Sequence, residues 1–434
     1  MKYYLAVDIG ASSGRHIVGW IENGKLQTEE VYRFANGVKS VGDRLIWDTD
    51  CLFKEVVAGL KKAAEAGKAP SYIGIATWAV DYALLDKHDK LIGEVYAYRD
   101  RRTAKAANAV HRIISFDELY KRTGIQFQQF NTVYQLYADK QSGKLDKAES
   151  MLMLPDYLGF LLTGVKKQEY TNATSTGLVN AKNHKWDGDI IGVLGLSNNL
   201  FGELSRPGTA VGELSEEVRR EVGYAATVIL PATHDTASAV EGIPMEDDSP
   251  YISSGTWSLL GLKVPEAITD DKSRKANYSN EGGVGYFRYQ KNIMGMWIVN
   301  RLKDELCPEK TFTQIVEEAR ESTFNYSVDV NDDTFLAPKS MKQEFDVYLH
   351  VRPATCGDYF RCAFLSLAKS YDKALKELSE NTGKKFDKLY IVGGGAKNTL
   401  LNEMTEKICN VKVIALPIEA SAIGNLNIQI KGVK

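Results

Sequence analysis

A carboxylate near the middle of the chain stands where a strand is expected to pass into a helix. Residues 226–230 form an apolar, strand-like run, Pro231 interrupts it, and small helix-favouring residues follow Asp235. Free backbone N–H groups at a helix start can hold such a side chain in a fixed direction. Asp and Thr are also favoured helix caps, so Asp235 or Thr233 could simply cap this helix. The phosphate-type turns on each side of it favour a catalytic carboxylate.

The first of these turns lies close to the N-terminus. Residues 3–7 form an apolar run that ends in Asp8 and a turn of small residues, and residues 16–21 resume a strand pattern. This layout predicts a hairpin, not the strand-to-helix layout of a Rossmann or Walker loop. Backbone N–H groups in the turn could approach a phosphate, Asp8 could hold Mg²⁺ through water, and Arg15 could reach the terminal phosphate. An ordinary hairpin with exposed polar residues explains this turn equally well.

A second Ser/Gly turn follows the central carboxylate. Residues 250–258 and the apolar residues 259–262 again give strand, turn, strand, and residues 12–14 and 253–255 are the same Ser-Ser-Gly tripeptide. Matching hairpins that open two halves of a chain suggest an internal duplication.

A triple glycine marks a third loop. Residues 389–392 predict a strand that runs into Gly393, Gly394 and Gly395, and Asn398 or Thr399 can cap the helix that follows. Such a loop lets a ligand lie directly on the backbone, although tight turns alone also explain it. It is not GxGxxG, so it is poor evidence for a dinucleotide site.

Length and composition bound the remaining possibilities. A chain of 434 residues exceeds the size of one hydrophobic core, so two domains are expected. The net charge of -2 gives no general attraction to nucleic acid or anionic lipid. We see no apolar run long enough for a membrane span and no signal peptide, and we expect a cytoplasmic protein. The five cysteines are expected to be free thiols, with a Cys356/Cys362 pair left open, and the scattered histidines suggest no metal site.

Periodicity predicts the elements that position these residues. The expected helices cover residues 52–66, 293–306 and 359–378, and another begins near Pro155. Residues 169–178 are expected to form a loop, and residues 188–209 are expected to be rich in loops.

Two polar features remain ambiguous on the sequence alone. Trp78 and Tyr82 are aromatics of the kind that line sugar sites, but aromatics more often belong to the core. The charged residues 98–103 are either a solvated run or contain a buried Arg–Asp pair next to a polyol.

Motifs in family order along nearly the whole chain resemble the FGGY carbohydrate kinases, and within them the rhamnulokinase group. The motifs that carry the resemblance are VDIGASSGR (7–15), TWAVDYALLD (77–86), AYRDRRT (97–103), GIQFQQFNTVYQL (124–136), MLPDY (153–157), EYTNATST (169–176), THDTASAV (233–240), SSGTWSLLG (253–261), NEGG (280–283), KNIMGMW (291–297), VGGGAKNTLLN (392–402) and EASAIGN (419–425).

The resemblance implies an α/β fold of two actin-like ATPase (ribonuclease H-like) domains related by duplication, with an interdomain cleft. Residues 1–241 would form the N-terminal domain with the sugar site, the first phosphate loop and the catalytic Asp. Residues 242–434 would form the nucleotide-binding C-terminal domain, which looks short because relatives continue through further helix.

The family pattern also implies roles for individual residues. Asp235 would accept the proton of the sugar hydroxyl, and Asp8 would help to hold Mg²⁺. The residues implied at the sugar are Ala79, His234, Asp235, Thr236 and Asn292. The residues implied at ATP are Ala11, Ser12, Ser13, Gly14, Arg15, Thr256, Asn300, Gly394 and Gly395.

Three positions of the sequence depart from the family pattern. Ala76 stands where relatives carry Asp, which puts a sugar or metal contact in doubt. Ala79 replaces a Gly at a sugar contact, so its methyl group could crowd the substrate. Asn300 replaces a Gln that contacts ATP.

The implied activity is ATP-dependent phosphorylation of O1 of L-rhamnulose in rhamnose metabolism. The alternatives are a kinase for another ketose, such as L-fuculose or L-xylulose, and a catalytically impaired actin-like protein that binds ATP or sugar. An actin-like ATPase that serves a protein partner, as in heat-shock chaperones, is a further alternative. The implied partners are the sugar and ATP, without nucleic acid or membrane.

Overall fold

The computed structural model describes residues 1–245, 247–336, 338–416 and 419–433. The chain divides into two compact units. The first comprises Met1–Gly242, Val264–Tyr289 and Ala420–Lys434, and the second comprises Ile243–Lys263 and Gln290–Glu419. The expected domain boundary between residues 241 and 242 stays a prediction. In the structure, the later segments Val264–Tyr289 and Ala420–Lys434 belong to the same compact unit as the N-terminal segment.

The secondary structure alternates strands and helices along the chain. The strands are β1 (Tyr4–Ile9), β2 (Ser13–Glu22), β3 (Lys25–Ala35), β4 (Lys39–Val41), β5 (Arg44–Trp47), β6 (Tyr72–Thr77), β7 (Tyr82–Leu85), β8 (Val95–Tyr96), β9 (Ser150–Met153), β10 (Gln168–Glu169), β11 (Leu204–Ser205), β12 (Ala210–Glu213), β13 (Thr227–Ile229), β14 (Tyr251–Ser254), β15 (Trp257–Val264), β16 (Ser279–Gly282), β17 (Phe287–Met294), β18 (Lys388–Val392) and β19 (Lys412–Leu416). The helices are α1 (Thr49–Glu65), α2 (Ala106–Ile113), α3 (Phe116–Thr123), α4 (Thr132–Gln141), α5 (Leu154–Thr163), α6 (Tyr170–Thr174), α7 (Gly188–Val193), α8 (Glu216–Val222), α9 (Asp235–Gly242), α10 (Asp271–Lys275), α11 (Trp297–Leu306), α12 (Phe312–Glu321), α13 (Met341–Tyr348), α14 (Cys356–Thr382), α15 (Thr399–Cys409) and α16 (Ala420–Gly432).

The main sheet of the first unit has the strand order β12-β13-β6-β1-β2-β3. β1 and β2 form the predicted antiparallel hairpin, and β1 and β6 run parallel. Every residue of β1 is buried, so both faces of this strand are covered. Because side chains alternate along a strand, Leu5, Val7 and Ile9 enter one core cluster, while Tyr4 and Ala6 pack with Leu426 of α16 in another. Asp8 therefore belongs to the face that α16 covers.

The sheet of the second unit repeats this plan. The six strands of this sheet follow the order β16-β17-β15-β14-β18-β19, with β14 and β15 as an antiparallel hairpin and β18 and β19 parallel to β14. In both units a hairpin is flanked on one side by parallel strands and on the other by a third strand. The predicted duplication is confirmed at the level of topology.

Two secondary-structure predictions were wrong in part. Residues 169–178 contain α6, because the Glu169 side chain accepts the N–H groups of Thr171 and Asn172 and caps a short helix. The helix expected from residue 293 begins only at Trp297, because β17 continues to Met294. Residues 188–209, expected to be rich in loops, contain the short elements α7 and β11 and are otherwise largely loop.

The five cysteines are free thiols in the structure, so Cys356 and Cys362 form no pair. Among the described residues, no helix combines the length and the apolar character that a membrane crossing needs.

Candidate active site

Asp8 lies near the end of β1 and is held from two directions. It stands opposite Arg15 in the antiparallel register, and the Arg15 Nε donates to Asp8 Oδ2 over 3.0 Å. The Ser421 hydroxyl at the start of α16 donates to Asp8 Oδ1 over 2.8 Å. Asp8 keeps only 5% of its surface exposed, so these two bonds fix the direction of its carboxylate.

The turn after Asp8 is shaped by its own backbone and by its neighbours. The Gly10 N–H donates to the Ser13 carbonyl over 2.9 Å, and Ser12 is exposed while Ala11 and Ser13 are half-buried. A Cβ on Gly14 would lie 2.1 Å from the ring of Phe34, so only glycine fits there without rearrangement. The small residues 11–13 of the turn are therefore accessible, while Gly14 packs closely against Phe34.

Asp235 is the first residue of α9, as the sequence predicted. Its Oδ1 accepts the Thr236 N–H over 2.5 Å and the Thr236 hydroxyl over 3.1 Å, and 32% of the side chain stays exposed. Burial raises the pKa of Asp235, and the negative charge of Asp8 raises it further, against the opposing effects of His234 and Thr236. A carboxylate with a raised pKa and an exposed surface is suited to accept a proton.

Thr233 does not act as a simple helix cap. Its N–H and hydroxyl both donate to Glu169 Oε2, over 3.1 and 2.8 Å, and its carbonyl accepts the Thr77 N–H of β6 over 2.9 Å. These bonds join the segment before Asp235 to the main sheet and to the buried carboxylate of Glu169.

His234 is buried beside Asp235 and beside two charged residues, Glu281 and Arg288, to which the sequence gave no role. Its Nε2 lies 3.5 Å from Asp235 Oδ1, and its Nδ1 lies 3.0 Å from Glu281 Oε2. Arg288 places a guanidinium nitrogen 3.0 Å from the same Glu281 oxygen and 3.1 Å from His234 Nδ1. Glu281 belongs to the NEGG motif, and this motif was the one sequence signal that pointed to it. The sequence could not show that Glu281 contacts His234.

The C-terminal helix α16 packs tightly on the helix that carries Asp235. A Cβ on Gly424 would lie 1.8 Å from the Ser238 carbonyl oxygen of α9, and a Cβ on Gly242 would lie 2.0 Å from the Ala420 oxygen. α16 also donates from Asn425 to the Gly74 carbonyl of β6 over 3.0 Å. One helix therefore supports the strand of Asp8 and the helix of Asp235.

Ala79 lies half-buried in the turn between β6 and β7, beside a strained residue. Val80 has a φ of 68°, a conformation that is costly for a β-branched residue and that clusters at functional sites. Ala76 is fully buried next to Asp8 in the parallel register, so the missing carboxylate is replaced by a methyl group within the sheet.

Asp81 organises the two indoles beside this turn. The Nε1 groups of Trp47 and Trp78 donate to Asp81 Oδ2 over 2.6 and 2.9 Å, and the ring centroids lie 4.1 Å apart. Burial raises the pKa of Asp81 to about 6, against the lowering effect of these donors and of Gln135. Trp78 and Tyr82 keep 7% and 5% exposure, which favours the core interpretation of both.

One residue of the charged run 98–103, Arg102, forms a buried pair with Asp139, which lies outside the run. Arg102 Nε lies 3.2 Å from Asp139 Oδ1, with 7% and 2% of the two side chains exposed. Arg102 also donates to Gln135 Oε1 over 2.7 Å. Because Gln135 in turn donates to Asp81 over 3.2 Å, the pair continues into the network around the indoles.

The second Ser/Gly turn is tied to the start of α11 within the second unit. The Met296 N–H donates to the Gly255 carbonyl over 2.9 Å, and the Trp297 N–H to the Thr256 carbonyl over 3.2 Å. Asn300 is exposed one turn into α11, and Asn292 is half-buried on β17.

The triple-glycine loop packs on this same turn. Gly393 has a φ of 85°, and a Cβ there would lie 2.7 Å from the Ser254 carbonyl oxygen. A Cβ on Gly395 would lie 1.9 Å from Ser254 Oγ, whereas Gly394 is exposed and faces open space. Asn398 caps α15 by accepting the Leu401 N–H over 3.0 Å. The exposed backbone at Gly394 is the part of the loop that a ligand can approach.

The predicted residues thus form two groups, each within one unit. The first unit contains Asp8, Ala11, Ser12, Ser13, Gly14, Arg15, His234, Asp235 and Thr236, and it carries Ala79 on the turn after β6. The second unit contains Thr256, Gly394 and Gly395, and it carries Asn292 and Asn300. Within the residues that the structure describes, no group of three or more His, Cys, Asp or Glu side chains could hold a metal ion by itself.

Two family models match consecutive parts of the sequence. The N-terminal domain of the FGGY family of carbohydrate kinases matches residues 3–242, and its C-terminal domain matches residues 250–432. The chain belongs to the FGGY family of carbohydrate kinases. It is therefore a sugar phosphotransferase, and its family membership implies ATP as co-substrate.

Curated relatives of this FGGY kinase share most of its length. A rhamnulokinase from Halalkalibacterium halodurans is 47% identical over 433 residues, covering 98% of this chain and 92% of the relative. A rhamnulokinase from Oceanobacillus iheyensis is 45% identical over 436 residues, covering 99% of this chain and 93% of the relative.

Solved structures agree on the architecture. A ligand-bound xylulose kinase from Lactobacillus acidophilus has a TM-score of 0.82 at 15% identity, covering 100% of this FGGY kinase and 90% of that chain. At this identity the likeness shows the fold alone, and it confirms the predicted α/β fold of actin-like ATPases and sugar kinases.

Proposed function

We propose that this FGGY kinase transfers the γ-phosphoryl group of ATP to O1 of L-rhamnulose, giving L-rhamnulose 1-phosphate in rhamnose catabolism. The observation that carries the proposal is the group of rhamnulokinase relatives. They are 39–47% identical to this protein, and the alignments cover nearly the whole chain. Three xylulose kinases with similar solved structures are 14–17% identical to this chain.

Asp235 is the proposed general base. Its carboxylate accepts the proton of the O1 hydroxyl as that oxygen attacks the γ-phosphorus and the bond to the β,γ-bridging oxygen of ATP breaks. The support is its position at the start of α9, its exposed third and the pKa that burial raises. His234, Thr236, Ala79 and Asn292 are the proposed sugar contacts. Phosphoryl transfer depends mainly on such positioning and on charge stabilisation.

The two Ser/Gly turns are the proposed phosphate contacts. Residues 11–15 would bind through backbone N–H groups and the Arg15 guanidinium, with the hydroxyl of Thr256 as a further donor. The exposed Gly394 would let the nucleotide lie on the backbone, next to Gly395, with Asn300 on α11 as a further contact.

Asp8 is the residue proposed to hold Mg²⁺. The bound ion would neutralise the negative charge of the phosphates. Both Asp8 oxygens already accept one hydrogen bond, and each retains a second lone pair. Mg²⁺ keeps several waters and usually takes one or two carboxylates besides phosphate oxygens. The geometry of Asp8 fits contact through a metal-bound water.

A coupled assay of ADP release tests the proposal across L-rhamnulose, L-fuculose, L-xylulose, D-xylulose and glycerol. We expect L-rhamnulose to give the highest kcat/KM, with a product whose ³¹P spectrum is that of a 1-phosphate. A higher kcat/KM for another ketose would reassign the substrate. ADP release that ignores sugar would favour the chaperone-like ATPase, and no release would favour an impaired binding protein.

A further inference from the structure

A fully buried glutamate holds the chain two residues before Asp235. The N–H and the hydroxyl of Thr233 both donate to Glu169 Oε2, over 3.1 and 2.8 Å, and Thr233 is itself buried. Glu169 and Thr233 belong to the first compact unit. The mechanism above gives neither of them a role.

The carboxylate of Glu169 does more than cap α6. Capping this helix uses the N–H groups of Thr171 and Asn172, which donate to Glu169 over 2.6 and 3.1 Å. Shorter side chains such as Ser, Thr, Asp and Asn are the favoured helix caps. Burial raises the pKa of Glu169, and its hydrogen-bond donors oppose that rise, so this carboxyl group occupies a site where burial is costly. What a glutamate adds here is the reach from α6 to Thr233.

The segment that leads into Asp235 is also held by the main sheet and by α9. The Thr233 carbonyl accepts the Thr77 N–H at the end of β6 over 2.9 Å. The Ser238 hydroxyl in the first turn of α9 donates to the Ala232 carbonyl over 2.6 Å. With its N–H and hydroxyl on Glu169, each hydrogen-bonding group of Thr233 has a partner. Glu169 thus completes a set of bonds that fixes where α9 begins.

We propose that Glu169 is a positioning residue that fixes the direction of the Asp235 side chain through Thr233. Asp235 Oδ1 accepts the N–H and the hydroxyl of Thr236, so its direction depends on the first turn of α9. A group that must meet an incoming hydroxyl loses rate when its position shifts. The inference rests on the proposed function for the role of Asp235, whereas the hold of Glu169 on α9 can be measured without a sugar.

A purely structural role for Glu169 makes a different prediction, and Thr171 provides the comparison. The Thr171 hydroxyl donates to the same oxygen, Glu169 Oε2, over 2.6 Å, and Thr171 is as buried as Thr233. Thr→Val at either position removes one hydroxyl donor and nearly keeps the shape of the side chain. If Glu169 served stability alone, the two variants would behave alike, because each loses one bond to the same oxygen.

The kinetic experiment compares Thr233→Val with Thr171→Val in the full chain and adds Thr233→Ser, which keeps the hydroxyl. It uses the ketose that gives wild type its highest kcat/KM, so the comparison does not depend on which ketose that is. We expect kcat of Thr233→Val to fall about tenfold with the Kd of ADP retained. Thr171→Val and Thr233→Ser should keep kcat close to wild type. Equal kcat values for the two folded valine variants would overturn the proposal.

Hydrogen–deuterium exchange without sugar provides a readout that does not depend on activity. We expect the peptide that covers residues 230–240 to exchange about tenfold faster in Thr233→Val than in wild type, and at the wild-type rate in Thr171→Val. Unchanged exchange in Thr233→Val would overturn the proposal. If wild type showed no sugar-dependent turnover, the proposed function would fail, and this exchange measurement alone would decide the role of Glu169.

Discussion

The Ser421 hydroxyl donates to Asp8 Oδ1 over 2.8 Å, across 413 positions of sequence. The same carboxylate accepts Arg15 through its other oxygen. Ser421 belongs to the EASAIGN motif at the start of α16, and the family pattern alone gave that motif no role. Its hydroxyl fixes the direction of the carboxylate that we assign to the phosphate side of the reaction.

Two substitutions of Ser421 distinguish the effect of its hydrogen bond from the effect of its side-chain packing. Ser421→Thr keeps the hydroxyl, whereas Ser421→Val has the same shape as the Thr variant and lacks the donor. We expect kcat of the Val variant to fall about tenfold with little change in KM for the sugar, which corresponds to one lost hydrogen bond. The Thr variant should stay close to wild type in steady-state assays. Equal kcat values for the two variants would show that the hydroxyl has no part in catalysis.

Close packing of α16 on α9 predicts a large effect at Gly424. Because a Cβ there would lie 1.8 Å from the Ser238 carbonyl oxygen, Gly424→Ala must separate the helices. We expect a loss of about 1–3 kcal/mol in the free energy of unfolding, measured with urea, together with reduced kcat.

Gly159 in α5 provides the matched control. A Cβ there meets nothing within 4 Å, so Gly159→Ala should raise the free energy of unfolding by about 0.5–1 kcal/mol. If Gly424→Ala behaved like Gly159→Ala, the packing of α16 would not be the constraint described.

Gly394 and Gly395 should respond differently to the same substitution. Gly395→Ala places a methyl group 1.9 Å from Ser254 Oγ and should lower the unfolding temperature. Gly394→Ala faces open space and should leave the unfolding temperature unchanged. If the nucleotide lies over Gly394, that variant should still weaken ADP binding about tenfold or more in calorimetry. Unchanged ADP affinity would remove Gly394 from the nucleotide site.

The buried Asp81 predicts a pH dependence of stability. Burial raises its folded-state pKa to about 6, above the ordinary value of 3.8, so between these pH values the folded state binds more protons than the unfolded state. By linkage, the free energy of unfolding due to Asp81 then rises as the pH falls from 6 towards 4.

We therefore expect wild type to gain stability over Asp81→Asn as the pH is lowered from 7 to 4, by up to about 3 kcal/mol. Urea unfolding of both proteins at each pH measures the difference between their free energies of unfolding. The contributions of titratable groups that both proteins share cancel in this difference. A difference that stays constant or shrinks over this range would contradict a raised pKa at Asp81.

Local pattern was sufficient for much of the architecture. The hairpin around Asp8 follows from two apolar runs separated by small residues, and α14 follows from its long apolar periodicity. The start of α11 was missed because Ile293 and Met294 fit both a helix face and a strand, and pairing within the sheet decides for the strand. α6 was missed because Glu169, not the Thr- and Asn-rich residues themselves, starts that helix.

The contacts that set the chemistry depend on distant parts of the chain. The partners of His234 and Asp8, which are Glu281 and Ser421, come from segments that only the folded chain brings near them. Short-range periodicity carries no information on such pairs. The sequence could mark the motifs that contain them but could not connect them.

The central claim is that Asp235 is the base that activates O1 of L-rhamnulose, and Asp235→Asn tests it most directly. The assay measures sugar-dependent ADP release, alongside calorimetric binding of ADP and L-rhamnulose. We predict that kcat falls by about 10²–10⁴ while both ligands still bind, because the amide cannot accept the proton. A variant that binds both ligands and keeps kcat within about tenfold of wild type would contradict the assignment.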